Sequence, residues 1–293
     1  MKRKIIFSIT CIAMIALLFV ACKKKDKNNT ATLDAKTQQF HTDNNNIKSE
    51  NDQANDDINN TLSNIPSMGG RVEETLSSPM CGCTLDTSDL ANKIVYFNFD
   101  SVTPCFSPSR TRSGQIKAQL ISGNKWGDVG AVLKVTFNNF KVTRSSDLKS
   151  VEFNGSKTLE NINGNNWLGL LLGTADFNYR ERAFNINVTF DDGSIAIWNS
   201  ARITTWSYNP SDSKLTFTTN GDTTINGIST VDSWGVNRFS QNFTINYNTP
   251  WVSNSYCGFW RPNSGQIVYT LDNASFSLTL GVDQNGNATP YVC

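Results

Sequence analysis

From Cys81 onward, apolar and polar residues alternate with a period of two. One such run surrounds Ile94, Tyr96 and Phe97–Phe99, and others cover Ile116–Ile121 and Val132–Phe137. Phe184, Ile186, Val188 and Phe190 alternate with Asn185, Asn187 and Thr189. Phe243, Ile245 and Tyr247 alternate with Thr244 and Asn246, and Phe276, Leu278, Leu280 and Val282 with Ser275, Ser277, Thr279 and Gly281. Strict alternation buries one face of a strand and wets the other, which predicts antiparallel sheet. Asn154-Gly155, Asn163-Gly164, Asp192-Gly193, Asn220-Gly221, Asn226-Gly227 and Asn285-Gly286 are dipeptides able to take positive φ, and they read as hairpin turns. The clearest hairpin runs from Phe184–Phe190 through Asp191-Asp192-Gly193 into Ile195–Trp198. With no long helical pattern in this region, the expected fold is all-β, either an antiparallel β-sandwich or an extended antiparallel meander.

The preceding segment has a different pattern. Residues 22–78 are mostly Lys, Asp, Asn, Gln, Ser and Thr, a composition with too little apolar area to offset ordering entropy. Yet Leu33, Phe40, Ile47 and Ala54 recur every seven residues, and Ile58, Leu62 and Ile65 follow at helical spacing. Two readings stand: a thin amphipathic helix that lies on the domain or pairs with another chain, or a mostly disordered spacer with transient helicity. Pro66 and Gly69-Gly70 end the pattern in both.

The first residues carry an address. Lys2, Arg3 and Lys4 precede an uncharged apolar run, Ile5 to Val20, which ends at Phe19-Val20-Ala21-Cys22. This is a signal-peptide layout. The cysteine sharpens it to a lipoprotein signal, cut before Cys22, whose thiol takes the lipid; Phe19 stands where Leu is commonest. An uncleaved anchor competes, but the run is at the short edge of the roughly 17–25 residues that span a bilayer. Several acyl chains at about 0.8 kcal/mol per buried CH₂ hold firmly. Lys23 follows Cys22 where Asp would retain the protein at the inner membrane, so the expected location is the outer membrane, with the leaflet open. The expected organisation is a signal peptide at 1–21, a polar stalk at 22–78, disordered or partly helical, and an antiparallel β domain at 79–293.

Seven cysteines are present. Cys11 falls in the signal and Cys22 carries the lipid. Cys81, Cys83, Cys105, Cys257 and Cys293 remain in a compartment where disulfides persist. The expected pairs are Cys81 or Cys83 with Cys105, and Cys257 with Cys293, leaving one thiol over. Formal net charge is +1. Arg110, Arg112, Arg180, Arg182, Arg202, Arg238 and Arg261 are scattered along the sequence without a basic stripe, so nothing points to nucleic acid.

An internal echo joins two segments. Cys105 leads into Ser113-Gly114-Gln115-Ile116, and Cys257 into Ser264-Gly265-Gln266-Ile267. It is either one supersecondary unit used twice or a coincidence. The stretches 105–116, 130–140 and 153–158, with Ile225-Asn226-Gly227, Trp234–Arg238 and Cys257 leading into Ser264-Gly265, together resemble a family of Bacteroidetes lipoproteins with a β-rich body. The resemblance covers most of 79–293 and implies the address and the fold. It brings no activity, ligand or catalytic residue.

Candidate chemistry is sparse. The one histidine, His41, lies in the stalk, so the usual serine and cysteine triads lack a base. Zinc spacing is missing, as is a phosphate loop, and no cofactor is expected. Asp283-Gln284-Asn285-Gly286 lacks the acidic set of a calcium loop. Glu152, Glu160, Glu181, Asp191 and Asp192 are the candidates for a carboxylate pair, with Asp191 and Asp192 more simply turn residues, and Glu152 and Glu160 flanking an Asn-Gly hairpin. Among seven tryptophans, Trp198 reads as core. Trp126, Trp234, Trp251 and Trp260 fall in loops or at strand ends, where they either stack on a sugar or protein partner or plug the ends of the core. The run Trp167–Gly173 is a buried strand, a capping loop or an exposed patch. The expected function is that of a membrane-anchored, non-catalytic binding or structural protein with a glycan or protein partner. The alternatives are a carbohydrate-active enzyme and an outer-membrane assembly component.

Overall fold

Seven-residue spacing of Phe40, Ile47 and Ala54 marks a helix. In the computed structural model, which describes residues 35–65, 68, 80–106, 109–256, 262–272, 274–283 and 285–287, that helix, α1, is Ala35–Ser63. It closes by tightening: the amides of Asn64, Ile65 and Met68 donate to carbonyls three residues back, as in a 3₁₀ turn. Residues from Gln39 on belong to one compact unit with all the strands, Gln39–Cys293. Of the two readings of the polar stalk, the helical one is present over this span, and from Gln39 the helix belongs to the same unit as the strands.

The strands are β1 (Cys83–Asp86), β2 (Ile94–Asp100), β3 (Cys105–Phe106), β4 (Ser109–Ser122), β5 (Ala131–Arg144), β6 (Ser150–Asn161), β7 (Phe177–Phe190), β8 (Ile195–Asn209), β9 (Lys214–Gly221), β10 (Thr223–Ile225), β11 (Ile228–Val236), β12 (Asn242–Asn254), β13 (Pro262–Leu271) and β14 (Ala274–Leu280). A short helix, α2 (Trp167–Leu171), joins β6 to β7. The described strands form one sheet in the order β1-β2-β4-β5-β6-β7-β8-β11-β12-β13-β14, with β3 beside β4, β10 beside β11, and β9 between β8 and β12. The protein is therefore all-β and antiparallel in its body, and from β4 to β8 each strand pairs with the next. The strands are hydrogen-bonded in one sheet, of which β4–β8 is a meander.

A row of bulges bends this sheet. Pairing slips between Ser113 and Gln115, Phe137 and Phe140, Asn154 and Lys157, and Ala183 and Ile186. Neighbouring bulges are tied together: the Asn139 amide donates to Asn154 Oδ1, and the Asn185 amide to Asn199 Oδ1. Each bulge adds local twist and a bend, and a row of them curls a sheet. The curl brings β4, β6, β7, β8, β12 and β13 against one helix.

Three sequence expectations change here, the first being that Asn220-Gly221 ends β9 opposite Ile203 and Arg202 and is not a hairpin turn. Asn154-Gly155 is a mid-strand bulge in β6, not a hairpin, so Glu152 and Glu160 lie on one strand. The Ala183–Ile186 slip, with Asn185 at φ 54°, also breaks the alternation of β7. Ile186, Val188 and Phe190 stay inside, while Phe184 is turned out to 58% exposure. The hairpin after Phe190 is as expected, with Thr189 opposite Ile195. Both copies of the internal echo place their glycine at a slip: Gly114 in β4, and Gly265 in β13, passed over between the partners of Thr249 and Val252. The buried Ile116 and Ile267 follow.

Candidate functional site

The apolar stripe of α1 packs on aromatic strand residues: the rings of Phe40 and Phe243 lie 5.2 Å apart. The rest of its buried surface is polar. Asn51, Asn55 and Asn59 are nearly or wholly buried, which requires partners. They have them. Asn51 and Asn55 donate to the Glu181 carboxylate at 3.0 and 2.7 Å, and the Trp126 indole donates to Asn59 at 3.0 Å. Basic residues on the inner face of the sheet and in the turn after β11 meet the helix acids: Arg110 with Glu50 at 3.0 Å, Arg112 with Asp57 at 2.7 Å, Arg202 with Asp52 at 2.6 Å and Arg238, in that turn, with Asp43 at 2.8 Å. The arginines scattered in the sequence thus converge, in part, on one helix. Arg180 and Arg182 pair elsewhere, with Asp222.

Glu181 is the hub. It is 0% exposed and also accepts from Lys157 at 3.0 Å and Ser200 at 2.9 Å, with Arg202 at 3.0 Å. Burial acts to raise its pKa, but Arg202, Lys157 and the amides of Asn55 and Asn51 outweigh it, and the net shift is downward. Burial pulls the Lys157 ammonium down, with Glu181 opposing. Burial lowers Arg202 too, yet Asp52, Glu181 and Asp232 carry it well above its ordinary value. Buried charges cost several kcal/mol each unless paired and hydrogen-bonded. Here the pairs bridge helix and sheet, so they fix where the helix sits.

A narrow stripe of α1 stays accessible, and beside it lies a cavity of about 580 Å³. The helix supplies one wall: Asn45, Lys48, Ser49, Asp52, Gln53 and Asp56. The opposite wall is apolar, from Trp206 and Phe217, Trp251 in β12, Ile267 and Tyr269 in β13, and Leu278 and Leu280 in β14, with Arg110 reaching in from β4. Among the described residues β1 and β14 are the two ends of the strand order. The inner face of β14 is therefore left facing the cavity, and Leu278 is 37% exposed where alternation alone expects core. Lys48 is paired with Asp52 at 3.0 Å. Asp56 has a buried Oδ1 without a hydrogen-bond partner; burial, then the charges of Asp52 and Asp57, push its carboxyl well up.

The sequence-predicted sites disperse. Trp126 is 1% exposed in the core, so its ring is closed to a ligand. Trp251 lines the cavity and donates to Ser253 at 2.9 Å. Trp234 packs edge-on against the exposed Phe184 at 5.9 Å. Trp260, Cys22, Cys257 and Cys293 lie outside the described residues. Cys81 bridges Cys105, while Cys83 begins β1 opposite Phe99. In the run Trp167–Gly173, α2 is capped by Asn166, whose side chain accepts from the Gly169 amide; Leu170 is buried and Leu168, Leu171 and Leu172 are exposed. Glu160 pairs with Arg180 at 2.7 Å and Glu152 accepts from Asn154. Among the described residues no cluster of His, Cys, Asp or Glu is arranged to hold a metal ion. No family model, curated protein or solved structure matches this chain.

Proposed function

We propose that this chain is an exported binding protein without catalysis of its own, held to the outer membrane by lipid on Cys22, and that the cavity beside α1 is its ligand site. The cavity carries the reading. Its volume of about 580 Å³ falls within the roughly 300–1,000 Å³ of small-molecule sites, and its two walls differ in polarity. Such a site suits an amphipathic ligand, with its body on the sheet and its polar end on the helix.

The alternatives have less support. A glycosidase places its two carboxyl groups on either side of the scissile bond, whereas the acids on this cavity, Asp52 and Asp56, share one helix wall. Sugar stacking needs a shared platform, and Trp126, Trp234 and Trp251 stand in the core, against Phe184 and in the cavity. Docking to an assembly through α1 would require extracting a helix bound to Glu181 and four arginines.

Uptake of N-phenyl-1-naphthylamine by the full chain in phosphatidylcholine nanodiscs, with empty discs as blank, tests the site. Fluorescence should rise with wild type and not with Leu278→Trp, which fills the cavity from its partly open edge. Equal signals would sink the reading. Palmitate labelling of wild type and Cys22→Ala tests the anchor; equal labelling would overturn it.

A further inference from the structure

Every base on the cavity wall already has an acid. Lys48 is paired with Asp52 at 3.0 Å and Arg110 with Glu50 at 3.0 Å. Arg110 Nε lacks a hydrogen-bond partner, but the guanidinium charge is met. Of the two wall acids, Asp52 holds both Lys48 and Arg202. Asp56 makes no ion pair among the described residues, and its buried Oδ1 is without a hydrogen bond. Its neighbour Asp57 is taken by Arg112. Asp56 has the Trp206 indole and the Arg202 charge acting on it, so what the wall lacks at Asp56 is a paired cation and a donor to Oδ1.

We propose that Asp56 is the head-group anchor of the cavity and that the ligand is an apolar amine, its ammonium on the Asp56 carboxylate and its body against Trp251, Ile267 and Leu278. This rests on the reading of the cavity as a ligand site. An ammonium carries three donors and no acceptor, and a charge-assisted bond to a carboxylate is roughly twice as strong as a neutral one. A buried acceptor left unmade costs its full desolvation, and the amine removes that cost. An alcohol of equal length supplies the donor without the charge. A carboxylate would bring another anion beside Asp52, Asp56 and Asp57, with Lys48 and Arg110 already engaged.

Calorimetric titration of the full chain in phosphatidylcholine nanodiscs with octylamine, octanol and octanoate, against empty discs, tests the assignment. Octylamine should bind at least tenfold tighter than octanol, and octanoate weakest. Asp56→Asn should bring octylamine to the level of octanol. Equal binding of all three to wild type would overturn the Asp56 assignment and leave the cavity standing, as would octanoate binding tightest. Binding of none would overturn both. The wild-type order decides whether or not the variant folds.

Discussion

Asn55 on α1 donates to the carboxylate of Glu181 on β7 at 2.7 Å across 126 residues of sequence. That bond belongs to a wholly buried set containing Lys157 and Arg202, so the helix position and the charge balance of the interior are one problem. Removing one member of a buried ion pair leaves the other uncompensated, at a cost of about 3–5 kcal/mol. Glu181→Ala should lose this much stability by urea unfolding, and Asn55→Ala about 1.5–3 kcal/mol for a bond to a charged group. A loss below about 1 kcal/mol for Glu181→Ala would mean that the set does not hold the helix.

Acid should weaken the fold through the same residue. The folded pKa of Glu181 lies below its ordinary value of 4.5. Its ionised form therefore contributes stability above about pH 4.5 that is lost as pH falls toward the depressed folded value. The stability difference between wild type and Glu181→Gln should be largest at neutral pH and shrink below about 4.5. A constant gap down to pH 3 would contradict the assignment.

Asp56 acts with the opposite sign. Its pKa is raised in the fold, so its contribution is present below the ordinary carboxylate value and is lost as pH rises through the raised one. Without ligand, Asp56→Asn should be more stable than wild type at neutral pH by about 1 kcal/mol, or about 2–4 °C in melting temperature for a domain of this size. A lower melting temperature at every pH would show that Asp56 supports the fold instead.

The bulge row should be sensitive to a single methyl group. A Cβ on Gly114, at φ 80°, would stand 2.0 Å from the Asn139 carbonyl oxygen. At Gly193, with a similar φ, it would meet nothing within 4 Å. Gly193→Ala should cost about 1 kcal/mol, the left-handed backbone penalty alone, and Gly114→Ala clearly more. Equal melting temperatures for the two would show that the close approach at β4 is relieved at no cost.

The disulfide staples the start of the domain to β3. Cys81 and Cys105 are 24 residues apart, for which loop-closure entropy predicts about 3 kcal/mol. Cys81→Ser should lower stability by that order in non-reducing conditions, with Cys83→Ser near neutral. The reverse order would mean that Cys83 is the bridging partner.

The strands were legible because most of their inner residues are apolar and alternate with polar ones. The helix was half legible: Phe40, Ile47, Ala54, Ile58 and Leu62 announce a stripe, and all are buried. Its asparagines gave no sign of burial because their partners, Glu181 on β7 and Trp126 in the turn before β5, lie more than sixty residues away. Glu181 stood only among the candidates for a carboxylate pair, and nothing in the alternating pattern placed it or Lys157 inside the curl. Phe184 was misread because the slip at Asn185 reverses the face of one residue, and nothing in an alternating sequence announces where a slip falls. Leu278 and Leu280 were expected in a core; their strand ends the sheet, and the ending of a sheet is not a local property. The cavity follows from that ending and so had no sequence signal of its own.

The most direct test is to see where an apolar amine goes. A diazirine-bearing octylamine, photolysed on the full chain in nanodiscs and mapped by peptide mass spectrometry, should label β13, β14 and the accessible stripe of α1, around Ile267, Leu278 and Gln53, with excess octylamine suppressing it. Labelling confined to the exposed leucines of α2, with the cavity peptides unmarked, would contradict the account.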